Sequence, residues 1–184
     1  MAESNARAGA AVKTNESEYA ITRVFDAPRE LVFRAWTEPK HLPQWWGPRG
    51  FTTTIEKMDV HPGGNYRITM HGPDGDVYPM TGRFEEIARP ERLVMTMDLS
   101  EHPGWWHDMI MPGRAKDERN PVGEIVTTVT FEERGGKTEV TVRMRFASPE
   151  IRHSMVNHGM HEGWSQSFDK LAEDLAKIRG EENR

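Results

Sequence analysis

The sequence predicts an α+β fold, in which an antiparallel sheet carries helices on one face. Segments rich in β-branched and aromatic residues follow one another over residues 51–99, and a hairpin pattern follows at residues 123–147. Helical patterns occur instead near the two ends of the chain, at residues 28–39 and 149–180. Strands that run together, with helices segregated from them, are typical of α+β domains.

The N-terminal elements are a strand followed by two short helices. Residues 18–28, "EYAITRVFDAP", have the composition of a strand and stop at a proline. In the next segment Leu31, Val32, Ala35 and Trp36 form a stripe that predicts a helix buried on one side. The following "KHLPQWWGP" predicts a further helical turn or two, ended by Gly-Pro.

The central elements read as strands because apolar and polar residues alternate. Alternation is clearest over residues 92–99, where every second residue is leucine or methionine, as in a half-buried antiparallel strand. Two further alternating runs flank Gly135 and Gly136, which predicts a long hairpin with a two-residue turn. The sheet is therefore expected to have about six or seven strands.

A long helix is predicted at the C-terminal end. Trp164, Phe168, Leu171, Leu175 and Ile178 recur at steps of four and three residues, so they share one face. The sequence after them predicts that the helix ends at glycine 180. Glycine 159 is a second weak point, where a bend would rotate the preceding residues.

Composition limits the classes of protein and site. The chain of 184 residues suits one domain, expected at residues 18–180, with a disordered leader at 1–17 and a tail at 181–184. A net charge of −5 argues against nucleic acid as a partner, and the short apolar runs argue against a membrane span. The absence of cysteine excludes disulfides and thiolate chemistry, and we expect no cofactor and a cytoplasmic location.

Residues 100–122 interrupt the series of strands. The segment "SEHPGWWHDMIMPGRAKDERNPV" is too long for a hairpin turn and is broken by proline and glycine. It nevertheless contains Trp105, Trp106 and three further apolar residues at 109–111. We therefore expect an inserted loop that folds back over another part of the molecule.

Three motifs carry a resemblance to a known family. "ITRVFDAPRELVFRAWTEPKHLPQWWGP", the "FEERGG-TEVTV" hairpin and "HEGWSQSFDKLAEDLA" resemble the Hsp90 ATPase activator homologue type of the START-like superfamily, over about residues 18–178. The resemblance implies a helix-grip fold, a curved antiparallel sheet around a long C-terminal helix, with a cavity that holds an apolar or aromatic molecule in many relatives. The inserted segment departs from the family pattern and is expected to be a lid over the cavity or a contact between subunits.

Two histidines and a glutamate, "HGMHE", raise the question of a metal site. His158, His161 and Glu162 have helical spacing, but their order differs from the helical zinc signatures H-E-x-x-H and H-x-x-E-H. A helical wheel centred on Trp164 puts His158 and Glu162 on the polar side and His161 at the edge of the apolar face. We predict no metal site, a surface pair of His158 with Glu162, and a place for His161 near the cavity.

The favoured function is non-enzymatic binding of a small apolar or aromatic molecule between sheet and C-terminal helix. The candidate ligand-binding residues combine aromatic side chains, inward-facing methionines and one histidine: Trp45, Trp46, Tyr66, Met80, Met95, Met97, Trp105, Trp106, His161 and Trp164. Two alternatives stay open, because fold does not decide function. One is an enzyme of cyclase, dehydratase or hydrolase type in the same cavity, and the other is a partner of the Hsp90 chaperone. Trp105 and Trp106 also make a homodimer conceivable.

Overall fold

The computed structural model describes residues 10–11 and 15–183. The elements are β1 Ala10–Ala11, β2 Glu18–Phe25, α1 Arg29–Thr37, a 3-10 helix Leu42–Gln44, β3 Thr52–Met58, β4 Asn65–His71, β5 Val77–Ala88, β6 Arg92–Met97, α2 Gly104–Ile110, β7 Ile125–Arg134, β8 Lys137–Arg145, α3 Pro149–Asn157 and α4 Met160–Glu182. The predicted α+β class is confirmed. The two short helices predicted after the first strand are α1 and the single-turn 3-10 helix.

One antiparallel sheet contains all eight strands. Their order is β1-β2-β8-β7-β6-β5-β4-β3, so the N-terminal strand β2 pairs with the last strand, β8. The predicted hairpin joins β7 to β8, with Arg134 opposite Lys137. Gly135 and Gly136 both have positive φ, as a two-residue hairpin turn of this hand requires.

The short strand β1 lies within the segment that was predicted to be a disordered leader. Ala10 pairs with Thr22 and Ala11 with Ile21, which adds a two-residue edge to the sheet. Residues 1–9 and 12–14 of that leader lie outside the described residues.

Four tryptophans from three elements pack against each other between the sheet and the helices. We call Trp36, Trp45, Trp46 and Trp164 the tryptophan cluster. Ring centroids are 4.7 Å apart for Trp36 and Trp45 and 5.5 Å apart for Trp46 and Trp164, both within the range of favourable aromatic pairs. The cluster joins α1 and the 3-10 helix to α4.

The C-terminal helical region is divided at the glycine that the sequence marks as weak. Gly159 has φ of 97°, a left-handed conformation that ends α3 and lets α4 begin in a new direction. The prediction that the helix ends at Gly180 is wrong, since α4 continues to Glu182. Gly180 has no left-handed φ, and Arg34 Nη1 of α1 donates to Glu182 Oε1 at 3.3 Å, which holds the last turn.

The inserted segment is not a loop throughout, because it contains the short helix α2. Two hydrogen bonds connect α2 to parts of the molecule that are distant in the sequence. Ser154 Oγ of α3 donates to the carbonyl oxygen of Ile110 at 2.6 Å, and Trp105 Nε1 donates to Asp76 Oδ2 at 3.0 Å. The helix therefore bridges α3 and the turn between β4 and β5.

Candidate ligand-binding site

A cavity of about 360 Å³ lies between the sheet, α2, α3 and the first turns of α4. Its size is within the range of small-molecule sites in proteins. Trp105, His158 and Gly159 are the exposed lining residues and mark its mouth.

The cavity wall is mainly apolar. The lining residues are Trp46, Gly47, Pro48, Phe51, Met70, Tyr78, Met80, Met97, Leu99, His102, Trp105, Trp106, Met109, Ile110, Ile125, Met144, Met155, His158, Gly159, Met160, Gly163, Trp164 and Ser167. None of them is aspartate, glutamate, lysine or arginine, so the wall of the described cavity carries no permanent charge. Seven are methionines, whose thioether side chains adapt to the shape of a ligand and make favourable contacts with aromatic rings.

Six of the ten predicted binding residues line this cavity. Met80 and Met97 lie on the floor formed by the sheet, and Trp46 and Trp164 form the wall shared with the tryptophan cluster. The two tryptophans of the inserted segment, at 105 and 106, lie on α2 and also line the cavity.

The other four predicted residues lie elsewhere. Trp45 is fully buried beside α1, where its Nε1 donates to the carbonyl oxygen of Ala35 at 3.0 Å. Tyr66 of β4 is buried, and its hydroxyl donates to the carbonyl oxygen of Thr96. Burial raises the pKa of Tyr66 well above its usual value, so this hydroxyl keeps its proton.

Met95 and His161 miss the cavity for different reasons. Met95 faces inward, like Met97, but lies two residues further from the cavity, opposite Phe84 of β5. His161 faces β2, where its Nδ1 lies 2.6 Å from the hydroxyl of Tyr19. Burial, with the nearby carboxylate of Glu162, raises the pKa of Tyr19, so the tyrosine is protonated in this pair.

The predicted pair of His158 with Glu162 is also replaced by a different contact. His158 ends α3, and its Nδ1 lies 2.8 Å from the carbonyl oxygen of Ser154 in the preceding turn. The left-handed Gly159 separates this residue from α4, so a single helical wheel does not describe the three residues together. Over residues 10–11 and 15–183 no group of three or more His, Cys, Asp or Glu side chains could hold a metal ion.

The "WWGP" motif holds the cavity wall against α4. The amide of Gly47 donates to Ser167 Oγ at 3.1 Å, and its carbonyl oxygen accepts from Lys170 Nζ at 3.1 Å. Gly47 has φ of 100°, and a Cβ there would lie 3.1 Å from Met70 Sδ, so a side chain would be strained and crowded. Arg49, which follows this motif, forms an exposed ion pair with Glu173 at 2.5 Å.

His102 is the polar lining residue that sequence reasoning missed. It lies at the start of the inserted segment, is only 8% exposed, and packs edge-on against Tyr78 and Trp106 at centroid distances of 5.5 and 4.5 Å. Neither ring nitrogen has a hydrogen-bond partner among the described residues. Leaving a buried polar group unpaired costs about 1–3 kcal/mol, so this imidazole lowers the stability of the folded protein.

Burial also controls the charge of this histidine. Desolvation, with a smaller contribution from the neighbouring His107, lowers the pKa of His102 to about 4, and the nearby Asp98 opposes this shift. The ring is therefore neutral near pH 7, with one nitrogen able to donate and the other able to accept a hydrogen bond. The only sequence signal was its position near Trp105 and Trp106, and His107 shares that position.

An antiparallel sheet that wraps a long C-terminal helix, with an apolar cavity between them, defines a helix-grip protein of the START-like superfamily. None of the helices in the described part of the chain is long and apolar enough to cross a membrane. Residues 26–176 match the family described as Activator of Hsp90 ATPase homolog 1-like protein, and the chain belongs to this family.

Solved structures with the same fold come from several bacteria. A solution structure of a protein from Arthrobacter aurescens is 27% identical, covers 91% of each chain and has a TM-score of 0.76. A crystal structure from Nitrosomonas europaea is 25% identical, covers 91% of this chain and 99% of that one, and has a TM-score of 0.72.

A further crystal structure, of the AHSA1 protein from Silicibacter pomeroyi, is 21% identical over 88% of this chain and 99% of that one, with a TM-score of 0.66. At this identity the likeness concerns the fold alone. A comparison with curated proteins finds no match.

Proposed function

We propose that the protein binds a small apolar or aromatic molecule in the cavity between its sheet and α4. The observation that carries this proposal is the cavity itself, about 360 Å³ with an uncharged wall rich in methionine and tryptophan. Apolar surface that a ligand buries there would contribute roughly 25 cal/mol per Å².

The arrangement of His102 favours binding over a reaction at the same site. A histidine that acts as a general base is usually held by a second polar group, which fixes its tautomer and orientation. No such partner is present among the described residues, because both ring nitrogens of His102 are unpaired. An enzyme of cyclase, dehydratase or hydrolase type would need the substrate itself to orient this ring.

A binding screen by thermal unfolding and tryptophan fluorescence tests the proposal. Trp46, Trp106 and Trp164 line the cavity, so a bound ligand should change their emission. We expect neutral bicyclic aromatic compounds to raise the melting temperature and shift the emission in a saturable way. If no aromatic or aliphatic compound in the screen alters either signal, the proposal is wrong.

Two glycines of α4 provide a matched pair of variants for this screen. Gly163 lines the cavity, and a Cβ there would lie 3.8 Å from Pro48, a second lining residue, whereas a Cβ on Gly180 has nothing within 4 Å. Gly163→Leu should therefore block binding, while Gly180→Leu should leave it unchanged. Both substitutions remove a helical glycine and should gain up to about 1 kcal/mol of helix propensity, so loss of binding would not reflect unfolding.

The family match supports a second candidate, an interaction with a chaperone of the Hsp90 type. The matched family is described by its likeness to an activator of the Hsp90 ATPase, and the match covers residues 26–176. A purified assay tests this candidate: stimulation of the chaperone's ATPase by the protein supports it, and the absence of both stimulation and binding at high micromolar concentration contradicts it. Gly163→Leu shows whether such an interaction needs the cavity.

A further inference from the structure

His102 is the only lining histidine that is buried in the described structure, and it has no internal role as a hydrogen-bonding group. The backbone amide of His102 donates to the carbonyl oxygen of Leu99 at 3.0 Å, which anchors the residue at the end of β6. Its ring stands between Tyr78 and Trp106, and both ring nitrogens lack a partner among the described residues. A polar group placed in an apolar wall in this way is a typical means of fixing the orientation of a ligand.

Two other polar side chains of the wall, Ser167 and His158, already have hydrogen-bond partners. Ser167 Oγ accepts a hydrogen bond from the amide of Gly47, at 3.1 Å. His158 Nδ1 contacts the carbonyl oxygen of Ser154 at 2.8 Å and is exposed at the mouth. His102 therefore has more unused capacity for hydrogen bonding than Ser167 or His158.

The wall also restricts the charge of a ligand. Because the lining contains no aspartate, glutamate, lysine or arginine, an ion that enters the described cavity would lose its hydration without gaining a counter-charge. A neutral imidazole offers one donor and one acceptor, which matches a hydroxyl group better than it matches a carboxylate or an ammonium group.

The surroundings of His102 indicate what the rest of the ligand is. Trp106 lies next to it on α2, and Trp46 and Trp164 line the same cavity. The wall also contains methionine side chains from the sheet and from α2, α3 and α4, which favour contact with an aromatic ring.

We infer that the ligand is a neutral aromatic alcohol or phenol, with its ring between the methionines and tryptophans of the cavity and its hydroxyl group hydrogen-bonded to His102. This inference rests on the function proposed above and names the ligand class for the same cavity. It also assigns a role to the inserted segment, which supplies both the hydrogen-bonding group and the aromatic cover.

Calorimetric titration with two probes of equal shape tests the inference. 2-Naphthol and 2-methylnaphthalene differ only in a hydroxyl against a methyl group. Each is titrated into wild-type protein and into His102→Phe, which keeps a buried ring but removes both nitrogens. The quantity measured is the ratio of the two dissociation constants, because comparing it between proteins cancels the difference in hydrophobicity between the probes.

In His102→Phe the affinity for 2-naphthol relative to 2-methylnaphthalene should fall roughly tenfold, which corresponds to the loss of about one hydrogen bond. His153→Phe is the matched control, since it removes an exposed histidine of α3 that does not line the cavity, and it should leave the ratio unchanged. A third probe, 2-naphthoate, should bind wild-type protein at least tenfold more weakly than 2-naphthol because its carboxylate would be buried without a counter-charge.

A nuclear magnetic resonance measurement adds a readout that a purely structural role would not change. The ring nitrogen signals of His102, identified by their loss in His102→Phe, should shift with 2-naphthol and not with 2-methylnaphthalene. Should His102→Phe fail to fold, His102→Leu replaces it in the same titration.

The outcomes separate the two proposals. If both probes bind and the ratio is the same in wild-type and variant protein, the role of His102 is wrong and the proposed function stands. If 2-naphthoate binds as tightly as 2-naphthol, the restriction to neutral ligands is wrong. If neither neutral probe binds wild-type protein, this inference is wrong, and the wider screen of aromatic and aliphatic compounds decides the proposed function separately.

Discussion

Two neighbouring regions fill the space between the sheet and the helices in different ways. In the tryptophan cluster, Trp36 and Trp45 are at most 2% exposed, and each cluster ring lies within 6.2 Å of at least one other. In the cavity, methionines and the unpaired His102 surround open space. Trp46 and Trp164 form the boundary and belong to both regions.

The difference follows from the side chains that the two regions use. Tryptophan rings are rigid and bury a large area, so a group of them fixes the relative position of the helices. Methionine side chains are unbranched and adaptable, and they can follow the shape of a bound molecule. Because the tryptophan cluster holds the helices in place, the adjoining methionine-lined cavity can change its shape without unfolding the protein.

The largest expected effect is a loss of stability from the tryptophan cluster. Trp45 is fully buried and donates a hydrogen bond from Nε1 to Ala35. Trp45→Ala should lower the free energy of unfolding by about 3–5 kcal/mol, since it removes a large buried side chain and leaves a void. Urea unfolding followed by circular dichroism measures this change.

Trp105 is the control for that prediction, because it is the same residue type at the cavity mouth with 48% of its surface exposed. Trp105→Ala should cost less than about 1 kcal/mol, as substitutions at exposed positions generally do. Equal losses from both variants would show that the two regions are packed alike.

The second effect is a pH dependence that comes from His102. Its pKa is lowered to about 4 by burial in the folded protein, whereas an exposed histidine titrates near 6.5. The unfolded chain therefore binds the proton more readily, and the stability contributed by the neutral ring is complete above about pH 6.5 and is lost as the pH falls toward 4. Between pH 7 and pH 5 the loss from this residue should be about 2 kcal/mol.

Urea unfolding of wild-type protein and His102→Phe at both pH values isolates this contribution. His107 and Asp98, which also influence the pKa of His102, are present in both proteins. The difference between pH 7 and pH 5 should be smaller in the variant by about 2 kcal/mol. An identical pH dependence in the two proteins would mean that folding does not lower the pKa of His102.

The third effect is a different tolerance of added volume. Leu171 is fully buried in α4 outside the cavity, while Met80 lies on the cavity floor. Leu171→Phe should cost about 1–3 kcal/mol through overpacking, whereas Met80→Phe should cost less than about 1 kcal/mol because its ring can extend into open space. Thermal unfolding measures both, and Met80→Phe should also weaken binding of 2-methylnaphthalene. A comparable cost at the two positions would contradict the view that the cavity end is deformable.

The smallest effect concerns the contact that holds α2 over the mouth. Asp76→Ala removes the acceptor of the hydrogen bond from Trp105 Nε1. Since the contact is exposed, stability should change by less than about 1 kcal/mol, while quenching of tryptophan emission by acrylamide should increase. Asp117→Ala, which alters an exposed carboxylate elsewhere in the inserted segment, should change neither quantity. Unaltered quenching in Asp76→Ala would show that this bond does not hold the helix in place.

Sequence patterns predicted the elements well where they depend on local rules. Alternation over residues 92–99 predicted the inward face of β6, and the two glycines at 135 and 136 predicted the turn of the hairpin, both of which the structure contains. Gly159 was expected to be a weak point of the helix and is where α3 and α4 divide. In these cases the signal is the backbone preference or the burial of a few neighbouring residues.

Membership of the cavity wall was harder to predict. Alternation puts Met95 and Met97 on the same face, but only Met97 lies where the sheet is left uncovered by packed side chains. His161 was expected near the cavity and faces Tyr19, because β2 packs against that side of α4. A helical wheel describes one helix and carries no information about its neighbours.

By itself, the sequence determined the order of strands and helices along the chain, the α+β class, and an inner surface rich in methionine and tryptophan. The tertiary structure alone decided which of those residues enclose open space, and that the inserted segment brings His102 into it without a partner. The physical reason is that secondary structure depends on contacts within a few residues, whereas a cavity depends on how elements distant in the chain fail to fill the space between them.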